Sequence, residues 1–160
     1  MEAITLTIDG RKVSGEKGQT VLEVALKNGI NIPYLCYHPK ISKTGACRVC
    51  LVRINGAMLK ASCVEPITEG MTVVTEDEEI VKIRKWILEL LLSDGDHNCL
   101  YCEANGACEF QALIQRYDIG EVKPDRQRTI KEIDYETSNA LRRNENRCIL
   151  CGRCVKACKE

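Results

Sequence analysis

The chain opens on a period of two. Ile4, Leu6 and Ile8 alternate with Thr5, Thr7 and Asp9, the pattern of a strand with one buried face, and Asp9-Gly10 forms a tight turn into Arg11 to Ser14. This predicts a starting hairpin. Thr20 with Glu23 three residues on fits a capping box, Val21 to Asn28 reads as a short apolar helix, and Gly29 stands where a left-handed cap belongs. After a loop from Ile32 to Cys47, Val49 to Ile54, the turn Asn55-Gly56 and Ala57 to Ala61 predict a second hairpin, with Met71 to Val74 as a further strand.

The period then lengthens. Thr75 and Glu78 suggest another capping box, and Ile80, Ile83, Ile87, Leu90 and Leu91 recur at helical spacing, a stripe read as core packing, with Gly95 near the stop. Phe110, Leu113, Ile114 and Tyr117 repeat that spacing directly after Cys108, so a second helix is expected to start there. From Asp118 to Arg147 charge dominates and cysteine is absent, which reads as a solvated connection with a short extended piece at Thr129 to Ile133. The pattern is that of an α+β chain, a mostly β unit followed by a helical one.

Composition changes this picture in one respect: seven aromatic residues, a single Phe and a single Trp among them, make a thin core for 160 residues. The eleven cysteines suggest what stands in for it. Their number is odd and Met1 to Thr7 lacks the basic and apolar regions of a secretory segment, so reduced thiolates in the cytoplasm are expected over a disulfide framework. Balanced charge, 23 basic against 23 acidic residues, argues against nucleic acid as a partner. The longest apolar stretch, Trp86 to Leu92, is broken by Glu89 and is too short to cross a membrane.

The cysteines form three groups. Cys36, Cys47, Cys50 and Cys63 set one tight pair beside two remote thiols, the arrangement of a plant-type [2Fe-2S] site; a zinc site would ordinarily show two close pairs. Gly45 gives the loop access to positive φ. His38 makes a Cys-x-His with Cys36 but lacks the second half of a Rieske pattern, so it reads as a loop histidine. Cys99, Cys102 and Cys108 supply three thiols, and a four-iron cube needs a fourth ligand, for which His97 is the nearest candidate. The alternatives are zinc on the same four residues, or a solvent-facing His97 with another ligand. Cys148, Cys151, Cys154 and Cys158 match the bacterial ferredoxin run for a [4Fe-4S] cluster. Lys159 stands where proline is usual and no partner run follows, so this third centre is expected to be absent, labile or completed by another chain.

With these residues in place the chain resembles the amino-terminal iron-sulfur region shared by several oxidoreductases. They are the complex I large iron-sulfur subunit, the small diaphorase subunit of NAD-linked hydrogenases, iron-only hydrogenases and NAD-dependent formate dehydrogenases. The resemblance rests on Pro33-Tyr34-Leu35-Cys36, Gly45-Ala46-Cys47-Arg48-Val49-Cys50, His97-Asn98-Cys99 through Cys108-Glu109-Phe110-Gln111, and Arg147-Cys148 through Arg153-Cys154. It implies a β-grasp [2Fe-2S] domain over 1–76 and a helical [4Fe-4S] domain with one histidine and three cysteines over 77–117. A charged connection over 118–146 and an incomplete ferredoxin-type [4Fe-4S] segment over 147–160 follow. The ligands it implies are Cys36, Cys47, Cys50 and Cys63 for the first cluster, and His97, Cys99, Cys102 and Cys108 for the second. The complex I pattern has three residues between histidine and cysteine where this chain has one.

The chain has no Gly-x-Gly-x-x-Gly opening a helix and no catalytic nucleophile once its thiols are assigned to metal. The expected function is therefore an iron-sulfur electron-transfer subunit with no substrate site of its own. Its expected partners are a flavoprotein NADH-binding subunit on one side and a hydrogenase, formate dehydrogenase or quinone-reducing subunit on the other. A zinc-binding structural or assembly module, and a fragment of a catalytic hydrogenase or formate dehydrogenase, are the competing readings.

Overall fold

The computed structural model describes residues 3–41, 43–120, 129–133, 140 and 144–159. The alternation at the start becomes β1 (Ala3–Ile8) and β2 (Arg11–Glu16), antiparallel with Leu6 opposite Val13. Asp9 and Gly10 both take positive φ in the two-residue turn, as expected of a hairpin whose twist matches its strands. α1 (Val21–Lys27) follows, and both halves of the capping box form: Glu23 N donates to Thr20 Oγ1 and Thr20 N donates to Glu23. Gly29 ends the helix at φ 71°.

β3 (Leu51–Ile54) and β4 (Met58–Ala61) make the second hairpin around Asn55 and Gly56, and β5 (Thr72–Val74) completes a five-stranded sheet in the order β2-β1-β5-β3-β4. β5 runs parallel to β1 and antiparallel to β3, with Val73 paired to both Ile8 and Ile54. The buried face of this sheet and Val21, Leu22 and Val24 of α1 form one apolar cluster that includes the Cys50 and Cys63 side chains.

α2 (Glu78–Asp94) starts otherwise than the Thr75–Glu78 box predicts. Ile80 N donates to Asp77 Oδ1 at 2.8 Å, so Asp77 caps the helix, while Thr75 gives its hydroxyl to Asp9 at 2.6 Å. The Arg53 guanidinium, 2.8 Å away, and then the Ile80 amide hold the Asp77 carboxyl below the ordinary carboxylate range. A depressed carboxylate stabilises the fold above its unfolded pKa of about 3.9 and loses that contribution only as pH falls through the lower folded value. Asp77→Ala is therefore expected to cost about 1 kcal/mol, equally at pH 7 and pH 5, in denaturant unfolding.

The apolar stripe of α2 is also displaced from the predicted one. Its fully buried positions are Ile80, Arg84 and Leu88, whereas Leu90 is 56% exposed. Arg84, 1% exposed, donates from Nε to Val49 O (3.0 Å) and from Nη2 to Leu51 O (2.6 Å) and Thr75 O (2.9 Å). The carbonyls on either side of Cys50 thus hang on one guanidinium. Arg84→Met strands those buried acceptors and is expected to lower stability by on the order of 3–5 kcal/mol, while Arg84→Lys, which keeps charge but loses the fork, falls between; denaturant midpoints decide.

The chain divides within α2 into two compact units, Met1–Arg84 with Gly152–Glu160, and Lys85–Cys151. In the second, a 3-10 turn (Cys99–Tyr101) leads to α3 (Glu109–Arg116), which begins directly after Cys108 as its spacing predicts and buries Phe110. The segment read as a solvated connection with a short extended piece is described in part. No strand forms at Thr129 to Ile133, but Lys131 N donates to Asn146 Oδ1 and Asn146 Nδ2 donates to Lys131 O, at 2.8 and 2.7 Å. Asp96 N donates to Asn146 O at 2.6 Å, so one asparagine joins Lys131 to the residue before His97. The rest of the predicted connection lies largely outside the described residues. α4 (Arg153–Ala157) carries Cys154 and belongs to the first unit, where Arg153 Nη2 donates to Tyr37 O at 2.8 Å. Among the described residues no helix is long and apolar enough to cross a membrane.

Candidate metal centres

The hairpin register explains how Cys50 and Cys63 meet, although thirteen positions separate them. Leu51 pairs with Ala61, so the next position back sets Cys50 opposite Ser62, whose amide and hydroxyl both donate to Cys50 O, at 3.0 and 2.8 Å. Cys63 follows at once. Cys36 and Cys47 sit in the loop between α1 and β3, where each backbone amide donates to the other's sulfur at 3.5 Å. Gly45 turns this loop at φ 63°, and a Cβ there would press on both methyls of Val64 at 3.2 Å. Arg48 also takes positive φ. Cys36, Cys50 and Cys63 are buried, and Cys47 partly so.

The four thiols interact as two pairs, Cys36 with Cys47 and Cys50 with Cys63, joined by Cys36 and Cys63. Hydrogen bonds from the Cys47 and Cys63 thiols hold Cys36 far below the ordinary thiol range, and the same contacts push Cys47 and Cys63 far above it. Cys50 is lowered to about 7, chiefly by the Cys63 thiol and against the cost of burial. One proton leaves this set readily and the last ones resist, so four thiolates coexist here only around positive charge. Two interacting pairs of thiols fit a binuclear unit with one pair at each end. His38 is a loop residue, its Nδ1 accepting from Lys40 N at 3.3 Å.

In the second unit His97, Cys99, Cys102 and Cys108 all line one partly open cavity of about 250 Å³, whose apolar lining includes Leu92, Phe110 and Ile114. The imidazole is fixed by the chain around it. Nε2 lies 3.1 Å from Leu91 O, and because a carbonyl only accepts, Nε2 carries the hydrogen and a neutral ring has its lone pair on Nδ1. The ring also meets Phe110 edge-on, with centroids 5.1 Å apart. Gly106 turns the loop between Cys102 and Cys108 at φ 80°, and its amide donates to Gln111 at 2.8 Å.

The third group is arranged differently. Cys148 and Cys151 are half-buried, and Leu150 N donates to Cys148 Sγ at 3.4 Å, whereas Cys154 and Cys158 are exposed. Two pairs therefore fall in different units of the chain. The residues that sequence reasoning passed over are polar supports: Arg84, Asp77, Ser62 and Asn146. Only Asp77 carried a usable signal, since aspartate directly before Glu78-Glu79 is itself a good helix start.

Comparison with known proteins places three family models along the chain in order. They are a 2Fe-2S iron-sulfur cluster binding domain over residues 1–78, the NADH-ubiquinone oxidoreductase-G iron-sulfur binding region over 84–123, and a 4Fe-4S binding domain over 141–160. The NAD-reducing hydrogenase HoxS subunit gamma of Cupriavidus necator is 36% identical over 96% of this chain, which spans 65% of that subunit. The mitochondrial NADH-ubiquinone oxidoreductase 78 kDa subunit of Candida albicans is 39% identical over 96% of the chain, which spans 22% of it. Among solved structures, an NAD+-reducing [NiFe]-hydrogenase in the H2-reduced state superposes with a TM-score of 0.90 at 40% identity, covering 96% of this chain and 65% of that one.

Proposed function

We propose that the chain belongs with the iron-sulfur proteins that include the NAD-reducing hydrogenase gamma subunit and the complex I 78 kDa subunit, and that it relays single electrons between a flavin-bearing NADH-oxidising partner and a second redox subunit. It carries 2Fe-2S and 4Fe-4S binding domains, and those centres supply one-electron acceptor and donor states. The observation that carries the reading is the pair of separate donor sets, four thiols on the β3–β4 hairpin and the loop before it, and three thiols with an imidazole around one cavity.

In this reading Cys36 and Cys47 hold one iron of the first centre, and Cys50 and Cys63 the other. The two amide-to-sulfur hydrogen bonds and the burial of these thiols tune its potential. Cys99, Cys102, Cys108 and His97 hold the second centre. Cys148, Cys151, Cys154 and Cys158 supply ligands to a third. The strand order supports a β-grasp for the first domain, placed at 1–76, with the helical domain at 77–117. The second redox partner is of hydrogenase, formate dehydrogenase or quinone-reducing type, and the site of NADH oxidation lies on the flavoprotein.

Anaerobic mixing tests this division of labour. Dithionite is expected to bleach the protein, and NADH alone is expected to leave it oxidised until a flavoprotein NADH dehydrogenase subunit is added. Direct reduction by NADH, with no flavoprotein present, would contradict the proposed role.

A further inference from the structure

Gly95 stands one residue past α2, and its φ is outside the left-handed region, so its backbone is open to any residue. On helix-end propensity alone alanine is at least as suitable. What excludes a side chain is the His97 ring. A Cβ at position 95 would lie 2.8 Å from both Cδ2 and Cε1 and closer still to Nε2. The imidazole occupies the volume that a side chain at 95 would take, with the Leu91 carbonyl on Nε2 and the Phe110 edge against the ring. Phe110 lies two residues after Cys108, so the ring is seated against the same loop that carries the thiols.

We propose that Gly95 is a positioning residue for the second centre: its missing side chain lets an imidazole borne two residues before Cys99 fold back into the seat that a side chain four residues before Cys99 would fill. The proposal rests on the reading of His97 as a ligand.

The test uses the full chain loaded with iron and sulfide under anaerobic conditions and reduced with dithionite, followed by pulsed electron paramagnetic resonance of each centre. Nitrogen coupling to the second centre reports the imidazole, and the first centre's signal reports that the protein has folded. His97→Ala is expected to lose the nitrogen coupling. Gly95→Ala is expected to lose it too, or to lose the second centre, with the first centre intact. The double variant Gly95→His with His97→Ala is expected to regain a nitrogen-coupled second centre, which a merely structural glycine would not produce. Wild-type coupling in Gly95→Ala, or no recovery in the double variant, overturns the role of Gly95. Absence of nitrogen coupling in the unmutated protein overturns the ligand reading itself.

Discussion

Replacing Cys50 by alanine is expected to abolish the first centre's paramagnetic signal and to unfold the loop from Ile32 to Val49 around it. The side chain is fully buried, belongs to the apolar cluster beneath the sheet and is the partner of Cys63. Its removal leaves three thiols whose protons are already poorly shared, with no fourth donor to balance the charge of two irons. Ligand binding and folding are the same free energy at such a site; structural zinc in small domains supplies roughly 10–16 kcal/mol, as much as a whole domain's stability. The second centre, on its own four residues, is expected to keep its signal. Electron paramagnetic resonance with limited proteolysis reads both effects. A Cys50→Ala protein that retains a two-iron signal would remove Cys50 from the ligand set.

His97→Cys is expected to keep the second centre and lower its potential. A thiolate in place of a neutral imidazole adds one negative charge beside the irons, which favours the oxidised form. Two imidazoles in Rieske centres raise the potential by about 250 mV or more over plant-type ferredoxins, so one replacement is expected to lower it by on the order of 100 mV. A redox titration followed at the second centre's own signal measures this, with the first centre as internal reference. An unchanged potential would mean that the imidazole does not bind the cluster.

The strand and hairpin pattern was readable because burial on one face of a sheet imposes a strict period and because Asp9-Gly10 and Asn55-Gly56 carry the turn chemistry that positive φ demands. Spacing marked the cysteine groups, but it takes the β3–β4 register to bring Cys50 beside Cys63, thirteen positions on. What escaped was support from a distance. Arg84 sits at the centre of the buried face of α2, yet its sequence position reads as polar, and only its three backbone acceptors, supplied from β3, Thr75 and the residue before Cys50, make its burial favourable. The Thr75 box failed for the same reason, since Asp9, sixty-six positions away, takes the hydroxyl that a local cap would use. Gly95 looked like a helix stop, a role consistent with its place but silent about the ring above it.

Electron relay by this chain requires that two separate donor sets hold iron-sulfur clusters. Metal and acid-labile sulfide analysis of the anaerobically loaded protein, paired with a dithionite titration followed by electron paramagnetic resonance, tests it most directly. The expected result is about six irons per chain, or about ten with the third centre filled, matching sulfide, and at least two distinct paramagnets. Stoichiometric zinc without sulfide, in a colourless protein that stays silent on reduction, would contradict it.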